Sequence, residues 1–185
     1  MSEPFKVAVF VGSLRRGSIT RMVAKAVMKI APAGLECRLI EIGDVAMYNE
    51  DLEEEEPAAW ARVRREIAES DAVLLFTPEY NRTMPACLKN VLDVGSRPQG
   101  KNVWDGKPAG VVSVSPYRYG GMGANYGVRQ ALVYLNVPAM QQPEAYISGA
   151  AEVADEQGFK SEQSREFFVK FLAAFEKWVG ALGRR

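Results

Sequence analysis

Short apolar runs alternate with helical repeats along this chain. Residues 7–11 and 72–76 are continuous apolar segments and residues 109–114 are strongly apolar, as is typical of strands buried on both faces of a parallel sheet. Residues 35–42 alternate apolar and charged positions and predict a half-buried strand. A fifth strand is expected near residues 137–140 or somewhat later, toward Tyr146.

Helical spacing fills the intervals between these strands. Apolar residues recur every three or four positions in five segments, namely 22–30, Pro57 to about Ser70, 85–95, 126–135 and 161–182. Five strands that alternate with five helices predict an α/β fold with a doubly wound parallel sheet, right-handed crossovers and helices on both faces. We expect residues 1–185 to form a single domain.

Two segments have both a structural and a functional interpretation. The last predicted helix carries one stripe of large apolar residues, which we interpret as core packing rather than a cofactor site: Phe167, Phe168, Phe171, Leu172, Phe175 and Trp178. The carboxylates of residues 50–56 suit a solvated loop and the positive end of a helix dipole better than a cation site.

The absence of histidine narrows the possible chemistry more than any other feature of composition. Histidine is the usual general base at neutral pH and the commonest metal ligand, so Ser-His-Asp hydrolases and His-ligated zinc sites are excluded. Cys37 and Cys87 are far apart and form no CxxC pair, so no metal site is expected. An enzyme of this composition is expected to borrow a cofactor for its reaction.

The charge balance argues against polyanionic partners. Lys plus Arg and Asp plus Glu both number 23, so the formal charge is zero and nothing favours nucleic acid or an anionic membrane surface. No apolar run approaches the roughly 20 residues that span a bilayer, and the N-terminal residues lack the pattern of an export signal. We therefore expect a cytoplasmic protein that binds neither nucleic acid nor membrane.

The unusual residues of the sequence follow the predicted strands. They occupy residues 12–18 after the first strand, 77–81 after the third and 115–123 after the fourth. Ligands of doubly wound sheets bind outside the carboxyl ends of the strands, at the point where strand order reverses. The three loops are therefore the candidate binding site.

The first loop has the character of an anion site. Lys is missing after Gly17, so this is not a P-loop, and Leu14 replaces the second glycine of a dinucleotide fingerprint. Ser13, Ser18 and Thr20 offer hydroxyls, Ser18 is placed as a helix N-cap, and Arg15 can pair with a phosphate. The alternative is an ordinary capped helix with two surface arginines.

The second loop is stiffened by Pro78 and Pro85 at its two ends. A stiff loop with exposed amides and a tyrosine beside a sheet end suits a planar heterocycle, although the same pattern by itself also describes a plain turn.

Three motifs together resemble the NADPH-dependent FMN reductase family, in particular its bacterial chromate and quinone reductase branch. They are G-S-L-R-R-G-S-I-T at 12–20, T-P-E-Y-N-R-T-M-P-A-C-L-K-N-V-L-D at 77–93, and G-K-P-A-G-V-V-S-V-S at 106–115, which is followed by Gly120-Gly121. The resemblance extends in order and spacing over about residues 5–140.

The resemblance implies a flavodoxin-like fold with strand order 2-1-3-4-5 and noncovalently bound FMN. The implied phosphate ligands are Ser13, Arg15, Ser18, Ile19 and Thr20. The implied neighbours of the isoalloxazine ring are Pro78, Glu79, Tyr80, Asn81, Ser115, Tyr117, Gly120 and Gly121. Candidates for contact with NADPH or the acceptor are Arg82, Arg118 and Tyr119. No catalytic side chain and no metal are expected, because the flavin carries the reaction.

The chain departs from the family pattern at several positions. Gly123 stands where the family commonly has Arg, Val94 where Trp is frequent and Thr20 where Asn is frequent. We hypothesise that Arg118 replaces the missing positive charge, between Tyr117 and Tyr119. The alternatives for this segment are a surface loop or a subunit contact.

The implied reaction passes hydride from NADPH or NADH to flavin N5 and then reduces quinones, and also chromate, azo or nitro compounds. The main alternative is a flavodoxin-like electron carrier that needs a partner reductase, but such carriers are usually strongly acidic. A cofactor-free response-regulator-like domain would need acidic residues where Gly12 and Ser13 stand. By resemblance, we also expect a homo-oligomer, either a dimer or a tetramer.

Overall fold

The sheet has the predicted architecture. A computed structural model, which describes residues 3–182, contains one five-stranded parallel sheet in the order β2-β1-β3-β4-β5. Its strands are β1 (Phe5–Val11), β2 (Leu35–Ile40), β3 (Ala72–Thr77), β4 (Ala109–Val114) and β5 (Ala145–Ile147). Strands β3 and β4 are buried along their whole length, as their strongly apolar sequences predict. The fold class and the strand order are confirmed.

Helices cover both faces of the sheet. They are α1 (Ile19–Lys29), α2 (Ala58–Ala68), α3 (Ala86–Ser96), α4 (Met122–Tyr134) and α5 (Glu162–Leu182). One apolar core lies between the sheet and α1 and α5, and the other lies between the sheet and α2, α3 and α4. Alternate side chains of β1 enter the two cores, with Val9 in the first and Phe10 in the second.

The structure corrects two predicted boundaries, the end of β2 and the start of α4, and decides between the two alternatives for the last strand. Strand β2 ends at Ile40, and the last strand is the later of the two alternatives. The segment near residue 139 forms only an isolated bridge, between Ala139 and Ala109, before β5 pairs with the end of β4. Helix α4 begins at Met122, so Gly123 lies inside the helix and not in the preceding loop.

The apolar stripe of the last helix and the acidic segment at residues 50–56 both contribute to packing or ion pairs in the fold. Within the apolar stripe of α5, Phe168, Phe171, Leu172 and Phe175 are buried, while Phe167 and Trp178 pack against the same core. The acidic segment forms a 3₁₀ turn at Glu50–Glu53 followed by α2. Part of its charge is used in ion pairs, because Glu50 and Glu53 contact Arg97 and Glu56 contacts Arg64.

No helix within residues 3–182 is both long and apolar enough to cross a membrane. The same residues contain no group of three or more Cys, Asp or Glu side chains that is arranged to hold a metal ion.

Candidate functional site

The sheet brings the three candidate loops to one edge. Strands β1, β3 and β4 are neighbours, and the Gly12 amide donates to Phe76 O at 2.8 Å where β1 ends. A Cβ on Gly12 would lie 3.2 Å from Leu88 Cβ and 3.5 Å from Pro78 Cδ, so the first and second loops pack closely. The third loop begins at Ser115, whose amide donates to Ile147 O on β5 at 2.8 Å.

The first loop ends in the predicted helix cap. Ser18 Oγ accepts a hydrogen bond from the Arg21 amide at 3.1 Å, and the Ser18 amide donates to Arg15 O at 3.1 Å. The N-cap prediction for Ser18 is confirmed. This cap fixes the first turn of α1 and directs its free amides toward the loop.

An unused set of donors lies beside this cap. Ser13 and Thr20 are 5% and 4% exposed, yet neither hydroxyl has a hydrogen-bond partner among residues 3–182. No fully enclosed side-chain polar atom in the same residues lacks a partner, so both hydroxyls open onto the surface. The amides of Ile19 and Thr20 begin α1 and have no acceptor within the helix. Two hydroxyls and two amides at a helix N-terminus match the acceptor oxygens of a phosphate monoester, so these residues fit FMN.

The charge around this loop is positive and partly unpaired. Arg15 is exposed and forms no ion pair with any residue that the structure describes. Arg21, by contrast, donates to both carboxylate oxygens of Glu41 at 2.6 and 2.7 Å, and this bond holds the pKa of Glu41 below its ordinary value. A groove of about 330 Å³ alongside is lined by Arg16 and Lys25, among other residues. Arg15 is therefore available to bind an anion, whereas the Arg21 guanidinium is already paired with Glu41.

The second loop is a tight hairpin. The Tyr80 amide donates to Thr83 O at 2.9 Å, and the Thr83 amide donates back to Tyr80 O at 3.0 Å. The two central residues, Asn81 and Arg82, have φ of 50° and 68°. Asn tolerates this left-handed region, but Arg adopts it rarely, so the turn is locally strained. Tyr80 is 53% exposed at the tip, available to a planar ligand.

The hairpin is tied to α4 by Glu79. Gly121, the N-cap of α4, has no side chain and φ of 76°, so the helix lacks a local cap. Glu79 Oε2 instead accepts a hydrogen bond from the Ala124 amide at 3.2 Å. A carboxylate is favourable at the positive end of a helix, so this contact stabilises both elements. The family resemblance implies that Glu79 neighbours the flavin ring, and the structure shows its contact with α4.

The third loop is ordered near the sheet and exposed beyond it. Ser115 Oγ accepts from the Tyr117 amide at 3.2 Å. Gly120 has φ of 57°, and a Cβ there would lie 2.5 Å from the carbonyl carbon of Tyr146, so only glycine fits. Tyr117 and Tyr119 are 78% and 62% exposed, and Arg118 has no hydrogen-bond or ion-pair partner within residues 3–182. Arg118 therefore carries an unpaired positive charge at the surface, between two exposed tyrosine side chains.

Sequence reasoning did not single out Thr83 and Gly127, and it placed Gly123 in the third loop without a contact to the second. A Cβ on Gly123 would lie 2.6 Å from Arg82 O, and one on Gly127 would lie 2.8 Å from Thr83 Oγ1. The signal available in the sequence is two glycines four residues apart, which lie on one face of a helix.

The strand order and the helices on both faces define a flavodoxin-like fold, with the three candidate loops after β1, β3 and β4. The family model described as NADPH-dependent FMN reductase matches residues 5–152, and the chain belongs to this family. It is therefore an oxidoreductase that uses FMN, with NAD(P)H as co-substrate.

Named relatives agree over nearly the whole chain. A quinone reductase of Pseudomonas putida is 54% identical over 180 residues, which is 97% of each chain. A 2-hydroxy-1,4-benzoquinone reductase of a Burkholderia species is 37% identical over 175 residues, 94% of this chain and 96% of the relative. These proteins are what this chain is similar to.

Solved structures give the same picture. The flavoenzyme NAD(P)H:(acceptor) oxidoreductase FerB of Paracoccus denitrificans superposes with a TM-score of 0.91 at 38% identity, covering 97% of this chain and 100% of that one. A flavodoxin variant from Pseudomonas aeruginosa superposes with a TM-score of 0.59 at 22% identity, covering 92% and 99%, and shows the fold alone.

Proposed function

We propose that this protein is an NAD(P)H-dependent quinone reductase whose FMN phosphate is held by the first loop. The observation that carries the proposal is the unused donor set, in which the hydroxyls of Ser13 and Thr20 lie beside the free amides of Ile19 and Thr20. Arg15 adds an unpaired positive charge and Ser18 fixes the turn. The whole chain then acts as one FMN-binding domain.

The other two loops border the flavin ring in this proposal. The hairpin supplies Pro78, Tyr80 and Asn81, with Glu79 anchoring it to α4. The third loop supplies Ser115, Tyr117 and the Gly120-Gly121 pair on the opposite side. Bound FMN would supply the transfer of hydride from NADPH or NADH and of two electrons to the acceptor, chemistry that no side chain of the protein provides. The protein's contribution is to position both reactants and to exclude competing arrangements.

Quinones are the proposed acceptors because relatives that match nearly the whole chain carry that activity in their names. Chromate and azo or nitro compounds are proposed as further acceptors. An unpaired cation near the ring favours anionic partners, and Arg82, Arg118 and Tyr119 are the exposed candidates for contact with NADPH or chromate. Because NAD(P)H is supplied inside the cell, the proposed place of action is the cytoplasm.

The role of Arg118 is tested by Arg118→Ala. If Arg118 meets the phosphate of NADPH or an anionic acceptor, the variant raises KM for NADPH or chromate several-fold and leaves KM for an uncharged quinone unchanged. Lys160→Ala, which removes an exposed cation whose ammonium contacts Ala151 O, is the matched control. Unchanged KM values for both NADPH and chromate in Arg118→Ala would refute the charge-replacement hypothesis.

A homo-oligomer, either a dimer or a tetramer, is also proposed. Helix α4 exposes large apolar side chains, with Val133 and Tyr134 at 81% and 92% exposure and Tyr126 at 54%. Apolar patches of this kind on a compact domain suit burial against another subunit. Light scattering of the purified protein measures the assembly directly.

The defining experiment is a visible spectrum of the purified protein without oxygen, before and after NADPH is added. We expect flavin absorption bands that bleach with NADPH and return when a quinone is added. Flavin bands that persist with NADPH would indicate an electron carrier that needs a partner reductase. Failure to bind added FMN would overturn the assignment of the first loop.

A further inference from the structure

Helix α4 approaches the hairpin more closely than a helix with side chains on that face permits. Gly123 and Gly127 are four residues apart and face residues 79–83. A Cβ on Gly123 would lie 2.6 Å from Arg82 O and 3.0 Å from Glu79 Oε2. Contacts under 3.0 Å are essentially never made by real Cβ atoms, so the main chain of the hairpin would have to retreat.

The close approach coincides with two other constraints on the same hairpin. Glu79 Oε2 accepts from the Ala124 amide at 3.2 Å, so the base of the hairpin is tied to the first turn of α4. Asn81 and Arg82 are held at positive φ, and such strain persists only where surrounding contacts determine the conformation. The helix face supplies those contacts, since the Arg82 carbonyl lies directly over Gly123.

We propose that Gly123 and Gly127 are positioning residues for the flavin ring. They allow α4 to seat the 79–83 hairpin, and the hairpin in turn places Tyr80 and Asn81 against the ring. This inference rests on the proposed function, because it assumes that the hairpin borders the isoalloxazine.

The main test is Gly123→Ala in the full-length chain. The Arg82 carbonyl must move by at least about 0.4 Å to bring the contact from 2.6 to 3.0 Å, and it carries the hairpin with it. We expect the Kd for FMN to rise roughly tenfold, since misplacement on this scale weakens oriented contacts. The Kd for riboflavin, which lacks the phosphate, should rise by the same factor, and the visible circular dichroism of the bound flavin should change.

Gly180→Ala is the matched control. Gly180 lies in α5 with open space around its Cβ position, so the variant adds the same methyl group to a helix without a contact. Both substitutions replace a helical glycine with alanine, so their effects on helix propensity have the same sign. The control should leave flavin affinity and the dichroism spectrum unchanged.

A second pair of variants decides the question if Gly123→Ala fails to fold. In Gly127→Ala the new Cβ would lie 2.8 Å from Thr83 Oγ1 and make ordinary contacts with Met84 at 3.9 Å, so the variant should weaken flavin binding less than Gly123→Ala. Thr83→Ala removes that oxygen, so the double variant should bind flavin within about twofold of the wild type. A general loss of stability would not be reversed by shortening Thr83.

Wild-type affinity and dichroism in Gly123→Ala would overturn the proposal, as would a Gly127→Ala defect that Thr83→Ala does not reverse. These outcomes differ from failure of the proposed function, in which the wild-type chain itself does not bind FMN.

Discussion

Thr20→Val separates a phosphate-binding role for the first loop from a structural one. The Thr20 side chain is 4% exposed, and its hydroxyl has no hydrogen-bond partner in the described part of the chain. Valine keeps the shape of the side chain and removes only the hydroxyl. The flavin-free protein therefore loses no internal hydrogen bond, and we expect its free energy of unfolding to stay within about 0.5 kcal/mol of the wild type.

FMN binding should respond quite differently. A hydrogen bond to a charged group contributes about 1.5–3 kcal/mol, so loss of the Thr20 hydroxyl should raise the Kd for FMN roughly 10- to 100-fold. Riboflavin carries the same ring without the phosphate, and its Kd should not change. Quenching of flavin fluorescence on titration with flavin-free protein measures both constants, and urea unfolding measures stability.

Ser18→Ala provides the comparison within the same loop. Ser18 Oγ accepts from the Arg21 amide, so its loss removes a helix cap and should cost about 1 kcal/mol of stability even without flavin. Equal weakening of FMN and riboflavin by Thr20→Val would show that the hydroxyl does not contact the phosphate. A loss of about 2 kcal/mol in the flavin-free protein would show that the hydroxyl is structural.

Two further predictions concern titrating groups. Burial raises the pKa of the Cys37 thiol to about 11. Near pH 8, Cys37 of the native protein should therefore react with iodoacetamide roughly 100-fold more slowly than Cys37 of the unfolded chain. Equal rates would contradict the burial of this thiol. Because Arg21 holds the pKa of Glu41 below its ordinary 4.5, this pair contributes stability above that pH, and the contribution is lost as pH falls through the lowered value. Arg21→Met should lower Tm only slightly at neutral pH, because the ion pair is exposed. This difference from the wild type should disappear in acid. A difference in Tm that persists near pH 2 would refute the assignment.

The parallel strands and the helix cap are features that local sequence specifies well. Strands β3 and β4 are buried on both faces, so their sequences are mostly apolar and can be recognised without knowledge of their neighbours. The cap at Ser18 depends on the Arg21 amide three residues later, a contact that the sequence contains within one turn.

The start of α4 and the place of β5 are decided by distant residues. Gly121 offers no side-chain cap, and the helix begins at Met122 with its amide donor at Ala124 satisfied by Glu79, which is 45 residues away. Strand β5 has only three residues and pairs only with β4, so its sequence carries little periodic signal.

The candidate site divides in the same way. The alternation of strands and helices predicts a doubly wound sheet, and with it the sheet edge where ligands bind, because that pattern has few topological solutions. The resemblance of three motifs adds FMN and the residues to examine. The sequence does not show that the hydroxyls of Ser13 and Thr20 lack hydrogen-bond partners. Only the folded chain shows this, because it determines which groups lie within reach of each hydroxyl.

The sequence by itself therefore determined the class of fold, the edge of the sheet that carries the site and the cofactor implied by its motifs. Only the tertiary structure decided that Glu79 accepts a hydrogen bond from the first turn of α4, and that the hairpin packs against Gly123 and Gly127. The physical reason is that periodicity and capping are local, whereas these contacts join residues about 40 positions apart. Their geometry is fixed when the carboxyl ends of neighbouring strands are brought together in one sheet.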